Sequence, residues 1–341
     1  MKSNKKIIIL RLLGAIVTVT SIYFFAPWQF ALYYLTPLPS SVQEQTEEAI
    51  EQGLDGIIVY IDKRGQPPEH YANGWHNRDK KIPAYHQALF KIASIGKLYN
   101  AAALAKLVTQ EKIALNNTLG YYLPELVGRI ENANKITIKM LVQHRSGIPN
   151  FTDTKDFDWS KNYPDLLQLV LDKPADFEPN TEYSYSNTNY ILLSKIMSKS
   201  LGYDHTQFIK SEILDPLQLE NTYFSVKDIE LETLMSGYYV GYDDDFKTLE
   251  QGYVASAEDV GIFLRALNNG DLFSAQEKDI YASLYEYSHT GWVLGYSSIA
   301  RYHKDIDTVL IQFVNTTGND TVLLNKIIYH RLVQTLQKRD I

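Results

Sequence analysis

The sequence predicts an α/β domain in which strands from both ends of the chain form one antiparallel sheet. Helices flank the sheet, an all-helical insertion interrupts it, and a transmembrane helix precedes it. Strand patterns occur mainly in two regions, residues 56–75 and 291–314, and the chain between them mostly has the apolar spacing of helices. An apolar segment with a basic flank comes first and is long enough to cross a membrane.

The composition is that of a folded protein and excludes several classes. The chain has 341 residues, 45% of them hydrophobic, so it can bury a large core. A net charge of -7 without a long basic run argues against nucleic acid as a partner. Because the chain has no Cys, disulfides, thiol catalysis and Cys-ligated metals are excluded.

The N-terminus carries a localisation signal. Lys2, Lys5, Lys6 and Arg11 precede an apolar run over residues 12–35. As a helix this run is about 36 Å long, against about 30 Å for a hydrocarbon core. Since basic flanks stay in the cytoplasm, we expect a single-pass membrane protein whose N-terminus is cytoplasmic. The rest of the chain would then be periplasmic or extracellular.

A cleaved signal peptide is the alternative to this anchor. No Ala-x-Ala site ends the apolar run, and the run is long for a signal peptide, so an uncleaved signal anchor is favoured. Trp28, Tyr33 and Tyr34 are expected at the far membrane interface. The predicted division is a basic tail and anchor over residues 1–36 and a folded domain over residues 37–341.

Turn residues separate the predicted elements of the folded domain. Residues 36–41 are expected to form a stiff linker, followed by a polar helix to Gln52. The elements after it, in order, are strands 56–61 and 70–75, an apolar helix 95–108, helical patterns 136–142, 164–171, 189–200 and 207–213, a helix 258–268, strands 291–294, 298–302 and 308–314, and a helix 320–337. We therefore expect the α/β part at residues 42–98 and 256–341 and the helical part at residues 99–255.

The apolar helix carries a candidate nucleophile at its start. Ser94 and Lys97 are three residues apart, which places both side chains on one face of the first turn. A Ser hydroxyl needs a neighbouring base, and burial frees a Lys amine to act as one. The N–H groups of the helix N-terminus could stabilise an oxyanion. A helix cap followed by a snorkelling Lys is the alternative, because Ser3 and Lys6 have the same spacing in the basic tail.

A polar loop over residues 178–187 supplies a second candidate pair. Tyr185 could relay a proton if a nearby ammonium lowers its pKa. The Asn187 amide could orient both the lysine and a substrate. A packed Tyr beside a helix cap is the alternative, since Tyr71 and Asn73 have the same spacing.

A third group opens the late strands. His289, cationic or as a hydrogen-bonding group, and Thr290 could bind a substrate carboxylate, and Gly291 permits close backbone approach. The N–H of Trp292 could pair with that of Ser94 as an oxyanion hole. A strand-entry turn is the alternative.

Together these motifs resemble the serine β-lactamase and penicillin-binding-protein-like superfamily, especially its class C β-lactamase, D,D-peptidase and esterase branch. The motifs occur in the order Ser94, Tyr185, His289, at a helix start, in a loop and at a strand. Further similar stretches are Tyr122–Glu125, Leu141–Pro149, Asp215–Leu217 and Ala255–Asp259, and the resemblance extends over about residues 54–328.

The resemblance implies a β-lactamase/transpeptidase-like fold with its site in the groove between the α/β part and the helical insertion. It implies an acyl-enzyme on Ser94, with proton transfer shared by Lys97 and Tyr185. Asn187 would hold the substrate, and His289 with Thr290 would bind its carboxylate side. No metal and no cofactor are implied, and His144 is expected to be structural.

Three departures from the family pattern bear on the substrate. His289 stands where β-lactamases have Lys, which weakens carboxylate recognition above the imidazole pKa and argues against a dedicated β-lactamase. Asn180 replaces a usual Gly, which Asn can do because it tolerates the left-handed conformation. The segment from Leu272 to His289 is short, which leaves one wall of the groove more open.

The sequence thus predicts a membrane-anchored serine hydrolase acting on small peptides or esters. A D,D-carboxypeptidase-like peptidase is ranked above an esterase, and both are ranked above a β-lactamase. Peptidoglycan stem peptides are one candidate substrate. The alternative from another class is a catalytically silent member that binds wall peptides or acts as a scaffold.

Overall fold

The computed structural model describes residues 2–250 and 252–339. Its α-helices are α1 (Lys2–Phe25), α2 (Trp28–Leu35), α3 (Val42–Glu51), α4 (Gly96–Thr109), α5 (Leu119–Tyr122), α6 (Ile138–Val142), α7 (Asn187–Leu201), α8 (His205–Ile209), α9 (Ala257–Asn269), α10 (Ala275–Leu284) and α11 (Thr321–Lys338). Its strands are β1 (Gly56–Lys63), β2 (Glu69–Asn77), β3 (Ile82–Pro83), β4 (Phe90–Ala93), β5 (Thr222–Tyr223), β6 (Tyr238–Tyr239), β7 (Tyr253–Ala255), β8 (His289–Val293), β9 (Tyr296–His303), β10 (Thr308–Val314) and β11 (Thr316–Thr317). Short 3₁₀ turns lie at Pro124–Leu126, Phe151–Asp153, Leu166–Leu169, Val226–Asp228 and Phe246–Thr248.

Strands from both chain ends meet in a six-stranded antiparallel sheet of order β3-β2-β1-β10-β9-β8. Successive residues of β1 face opposite sides, as the pleat requires. Ile57 and Val59 pack with α3 and α11, whereas Ile58 and Tyr60 join the larger core that contains α4 and α9. Both faces are therefore covered by helices, which confirms the predicted α/β class and sheet.

The edge strand β8 approaches β4, the strand that leads to Ser94. At Gly291 a Cβ atom would lie 2.3 Å from the carbonyl oxygen of Ile92 and 2.3 Å from Ser298 Oγ. Glycine is required there because any larger residue would push β8 away from β4. This close contact brings the late strands to the nucleophile.

A second, three-stranded sheet of order β4-β7-β5 was not predicted. Its strands are four, three and two residues long, too short for an alternating pattern to show. β7 pairs with β4, β5 pairs with β7, and β6 pairs with β11. The regular elements described between residues 222 and 255 are these short strands and two 3₁₀ turns. The predicted helical part, residues 99–255, therefore extends too far at its C-terminal end. Its α-helices end with α8 and the wider turn Lys210–Leu214 that follows it.

The apolar N-terminal run forms two helices rather than the single helix expected over residues 12–35. The break lies at Ala26 and Pro27, because Pro lacks an N–H and disfavours helical geometry in the residue before it. In α1, residues Lys5–Phe25 have a mean hydropathy of 2.1 and none of them is buried, so their length and composition suit a membrane span or a signal sequence.

The second helix, α2, packs on the folded domain. Phe30 and Tyr33 are 6% and 5% exposed and join the core formed by α3 and α11. The expectation that Tyr33 lies at the membrane interface is therefore wrong. The predicted start of the folded domain at residue 37 falls within the packed structure, because α2 belongs to it.

Arg331 of α11 fixes the chain between α2 and α3. Its fully buried guanidinium donates hydrogen bonds to the carbonyl oxygens of Tyr33, Thr36 and Pro37 at 3.0–3.2 Å. It also binds Gln45 Oε1 at 2.9 Å and Glu48 Oε2 at 3.1 Å. These contacts use the arginine's planar fork of donors and fasten residues 33–37 to the domain. The expected linker is therefore a docked segment.

Candidate active site

Ser94 lies in the sharp turn between β4 and α4. The helix begins at Gly96 with Ile95 in the cap position, so Ser94 precedes the helix rather than capping it. The residue before Ser94, Ala93, has φ +49°, an uncommon conformation for a side chain-bearing residue. Pairing with Tyr253 of β7 holds Ala93 in this conformation, which directs the chain from strand to helix.

Three side chains meet at the Ser94 hydroxyl group or beside it. Lys97 Nζ is 3.1 Å from Ser94 Oγ, and Tyr185 OH donates to the same oxygen at 2.9 Å. Lys97 Nζ also donates to Asn187 Oδ1 at 2.8 Å. The structure thus brings together four residues that lie up to 93 positions apart in the chain, as Ser94 and Asn187 do.

Lys97 is prepared to act as a base. Its side chain is buried, with its amine 5.0 Å from the ring centre of Tyr185 and 5.4 Å from that of Tyr190. Burial disfavours the ammonium form and lowers the pKa of Lys97 from 10.5 to about 7. A substantial fraction of the amine is therefore neutral at neutral pH and can accept the serine proton.

Tyr185 has the opposite electrostatic character from the one expected. Burial raises its pKa to about 12 and outweighs the hydrogen bond to Ser94, which acts to lower it. The prediction of a lowered tyrosine pKa is therefore wrong. Tyr185 remains a phenol at neutral pH, so it can donate a proton but is not a phenolate base.

Asn187, the first residue of α7, is oriented by a residue that the sequence analysis did not single out. Asn150 Oδ1 accepts from the backbone N of Asn187 at 3.0 Å and from its Nδ2 at 3.3 Å. These bonds turn Asn187 Oδ1 toward Lys97. The only available signal was position, since Asn150 directly follows the family-like stretch Leu141–Pro149.

His144 supports the loop that carries Tyr185. Its Nδ1 accepts from the backbone N of Ser186 at 3.1 Å, and its ring centre lies 4.4 Å from that of Tyr185. Burial lowers the pKa of His144 to about 3, so it is a neutral acceptor. These contacts agree with the structural role expected for it.

His289 is at the site but is not a cation. Its Nδ1 lies 2.5 Å from the carbonyl oxygen of Thr290, which can only accept, so Nδ1 carries the proton. Its Nε2 then accepts from Tyr285 OH at 3.0 Å. Burial lowers the pKa of His289 to about 4, although Glu286 lies 3.4 Å away. Of the two forms considered for His289, cationic or hydrogen-bonding, the lowered pKa excludes the cation at neutral pH, and both ring nitrogens already have partners.

A cleft of about 240 Å³ opens at Ser94 and Lys97, and Trp292 contributes to its wall. Trp292 follows Gly291 on the edge strand next to β4, where its N–H was expected to join that of Ser94 in an oxyanion hole. This pairing of N–H groups remains a prediction. The aromatic residues of the cleft are Phe151, Phe157, Trp159, Tyr163 and Trp292. Sequence reasoning missed the first four because they belong to no motif and lie on irregular chain or a short 3₁₀ turn.

Proteins of two bacteria are similar to part of the sequence. Protein flp of Staphylococcus aureus (strain MW2) is 29% identical over 209 residues, which are 59% of this chain and 42% of that protein. Penicillin-binding protein 4* of Bacillus subtilis (strain 168) is 26% identical over 159 residues, 45% of this chain and 34% of that protein. Both matches span less than half of the relative's length.

Solved structures share the fold over most of the chain. The D-amino acid amidase of Ochrobactrum anthropi SV3, complexed with L-phenylalanine amide, has a TM-score of 0.77 at 20% identity and covers 88% of this chain and 98% of its own. A penicillin binding protein of Bacillus halodurans has a TM-score of 0.73 at 19% identity, with 86% and 99% covered. The family profile described as Beta-lactamase matches residues 42–285, most of the folded domain. The chain therefore belongs to the Beta-lactamase family of serine hydrolases and has the β-lactamase/transpeptidase fold.

Proposed function

We propose that this protein is an acyl-transfer hydrolase that forms an acyl-enzyme on Ser94. One observation carries the proposal: Ser94 Oγ lies between a buried amine, Lys97 Nζ at 3.1 Å, and a phenol, Tyr185 OH at 2.9 Å. A nucleophile flanked by a base and by a proton donor is the arrangement that acyl transfer requires. A binding protein has no need for a buried lysine amine beside a serine.

The proposed reaction follows from these positions. Lys97 takes the proton of Ser94 as Oγ bonds to the substrate carbonyl carbon, whose oxygen becomes an oxyanion near the N–H groups of Ser94 and Trp292. Tyr185 gives its proton to the leaving nitrogen or oxygen, the bond to the leaving group breaks, and the Lys97 ammonium returns a proton to Tyr185. Water then attacks the acyl-enzyme, and the same groups release the acid and restore Ser94.

The nature of the leaving group follows from the neutral state of His289. A peptidase that cuts before a C-terminal residue gains from a cation opposite the free carboxylate. Here the family's lysine position holds a neutral imidazole with both nitrogens engaged, and Glu286 is 3.4 Å away. We therefore place amides and esters above a D,D-carboxypeptidase substrate and reverse the order expected from the sequence. The fold shared with a D-amino acid amidase supports the amide assignment.

We further propose that α1 anchors the protein in a membrane, with a cytoplasmic N-terminus and the domain outside. The exposed apolar span Lys5–Phe25 and the basic residues around it support this. The size of the mature chain in a membrane fraction distinguishes an uncleaved anchor from a cleaved signal peptide. A full-length, detergent-extracted protein indicates an anchor, whereas a soluble protein that lacks α1 indicates a cleaved signal.

The test of the chemistry uses residues 27–341, which keep α2. The protein and its Ser94→Ala variant are incubated with a labelled penicillin and with an activated ester, and intact masses are recorded. We expect an adduct or ester turnover that Ser94→Ala abolishes and that Ser184→Ala, a change of an exposed serine in the Tyr185 loop, retains. If the folded parent forms no adduct and does not turn over the ester, the binding or scaffold alternative is favoured. A stable penicilloyl adduct without ester turnover would favour a D,D-peptidase.

A further inference from the structure

The cleft at Ser94 continues into an aromatic pocket. We define this pocket by Phe151, Phe157, Trp159, Tyr163, Leu166 and Trp292. Its aromatic rings form a row in which neighbouring rings pack against each other. Phe151 lies 5.2 Å from Phe157, and Phe157 lies 5.0 Å from Trp159, which meets Trp292 edge to face at 5.2 Å. Ser94 and these aromatic residues line the same cleft, so a substrate carbonyl bound at Ser94 would lie next to a continuous apolar wall.

The loop that carries Phe157, Trp159 and Tyr163 is ordered by its own hydrogen bonds. Tyr163 OH accepts from the backbone N of Asp158 at 2.7 Å and donates to the carbonyl oxygen of Asp156 at 3.1 Å. Asn162 Oδ1 accepts from the backbone N of Glu250 at 2.7 Å, which ties the loop to the opposite wall. The pocket is therefore formed before a substrate enters, which lowers the entropic cost of binding.

The charges at the rim of the pocket are paired. Lys161 lies 2.9 Å from Asp158, and Glu250 lies 2.6 Å from Lys227. The remaining charged residue of the lining is Lys97, which serves Ser94. The pocket thus offers apolar contact rather than a counter-ion for a charged substrate group.

The size of the pocket selects among neutral groups. A methyl side chain would touch one part of a cleft of about 240 Å³ and leave the aromatic wall in water. A phenyl or indole group would cover the wall and could stack on it edge to face, as the aromatic rings there already do with one another. Apolar pockets with few polar groups bind ligands of this kind.

We propose that the substrate carries a large apolar, preferably aromatic, side chain next to the scissile carbonyl, and that Trp159 determines this specificity. The inference rests on the proposed function, because it names the substrate class of the same site. Trp159 is suited to the role because it lies between Phe157 and Trp292 and joins the two walls of the pocket.

The test compares p-nitrophenyl esters of acetic and 3-phenylpropanoic acid, which share a leaving group and differ in the group that enters the pocket. The measured quantity is the ratio of kcat/KM for the two esters, corrected for their hydrolysis by hydroxide. We expect the phenylpropanoyl ester to be preferred by about tenfold or more. Trp159→Ala should lower this ratio by about tenfold.

Two further variants control the result. Trp75→Ala removes a surface tryptophan on β2, four strands from β8, and should leave the ratio as in the parent. Leu166→Trp should fill the pocket and lower the ratio even if Trp159→Ala fails to fold. A parent that prefers the acetyl ester, or folded Trp159→Ala and Leu166→Trp variants with the parent ratio, would overturn the proposal.

A binding measurement separates this inference from the proposed chemistry. The Ser94→Ala variant is titrated with N-acetyl-D-phenylalaninamide, N-acetyl-D-alaninamide and their L enantiomers, and tryptophan fluorescence is followed. We expect one enantiomer of the phenylalanine amide to bind about tenfold more tightly than the matching alanine amide. If this preference holds while the parent hydrolyses neither ester, the acyl-enzyme proposal fails and the pocket assignment stands. Equal binding of the two amides contradicts the pocket assignment.

Discussion

Lys97 Nζ lies 3.1 Å from Ser94 Oγ, and only 8% of the lysine residue is exposed. The amine is buried next to the rings of Tyr185 and Tyr190, beside a hydroxyl that it can deprotonate. The desolvation that disfavours the ammonium thus lowers the pKa of the lysine to about 7, which is the property that the proposed role as a base requires.

Replacing this amine should separate activity from stability. Lys97→Met keeps the length of the aliphatic part of the side chain and removes the buried amine, so we expect acylation of Ser94 to fall by about 10²–10⁴-fold. Thermal stability should change little, because the relief of the amine's desolvation offsets the loss of its hydrogen bond to Asn187 Oδ1. Stopped-flow acylation by an activated ester and thermal unfolding measure the two effects.

Lys106, further along the same helix, provides the matched control. It is buried beside Glu277 at 3.5 Å and is not part of the cleft lining. Lys106→Met should lower stability and leave the acylation rate of the folded protein close to that of the parent. Equal activity in the Lys97→Met variant and the parent would contradict the role of Lys97 as base.

The ionisation of Lys97 should set the pH dependence of an uncharged substrate. With a pKa lowered to about 7, the amine is protonated and inactive below that pH and neutral above it. We expect kcat/KM to rise about tenfold per pH unit below this value and to level off above it. Tyr185, with its pKa raised to about 12, stays protonated across this range, so no fall is expected before pH 9.

A second lysine titrates in the same range and has to be separated. Burial also lowers the pKa of Lys91 to about 7, and its amine binds the carbonyl oxygens of Phe246 and Leu249 at 2.8 Å. The pH profile of the Lys91→Met variant shows which lysine causes the inflection in kcat/KM near pH 7. If Lys97 is responsible, the inflection should persist in this variant. Its disappearance in a folded Lys91→Met protein would assign the ionisation to Lys91.

The parts of the fold that follow from periodicity were predictable. Strands β1 and β10 and helix α4 were foreseen because they are long, apolar runs. Helix α9 was foreseen because its apolar residues recur at helical spacing and Asn269 and Gly270 end the pattern. The short strands of the β4-β7-β5 sheet were not, since two to four residues carry no period. The docking of α2 depended on Arg331, about 300 residues away, which no local pattern reveals.

The candidate site shows the same division. Residues of the motifs, Ser94, Lys97, Tyr185 and Asn187, could be named because their types and spacing match a known mechanism. The lowered pKa of Lys97 was also expected, since the helix was predicted to be buried. The pKa shift of Tyr185 was predicted in the wrong direction, because the extent of its burial is a tertiary property. The same property turned a possible cation at His289 into a neutral group.

The neutral state of His289 leads to a prediction about substrates that end in a free carboxylate. We expect the parent to hydrolyse a dipeptide amide at least as well as the same dipeptide with a free carboxylate, since no lysine stands at this position. His289→Lys should raise kcat/KM for the carboxylate form relative to the amide by about tenfold or more, because a charge-assisted hydrogen bond contributes about 1.5–3 kcal/mol. The two rates are compared by chromatography of the products.

His289→Gln, which is neutral, serves as the control for the loss of the imidazole. His289→Gln should change kcat/KM for the amide and for the free carboxylate by the same factor. A parent that prefers the free carboxylate would show that another group supplies the charge, and the assignment to amides and esters would then be wrong.

The buried Arg331 predicts that α2 is required for a stable domain. In Arg331→Met, the carbonyl oxygens of Tyr33, Thr36 and Pro37 lose their donors and Glu48 loses its ion pair, so we expect unfolding free energy to fall by about 3–5 kcal/mol. Urea unfolding of residues 27–341 measures the change. Arg339 follows α11 directly and forms a more exposed ion pair with Glu69 of β2, so Arg339→Met should cost only about 0–1 kcal/mol. A protein of residues 37–341 should also lose stability, because it lacks the Tyr33 ring, whose centre lies 4.5 Å from the guanidinium, and the carbonyl groups of Tyr33 and Thr36. If it unfolds at the same urea concentration as residues 27–341, α2 is dispensable and its contact with α11 contributes little to the fold.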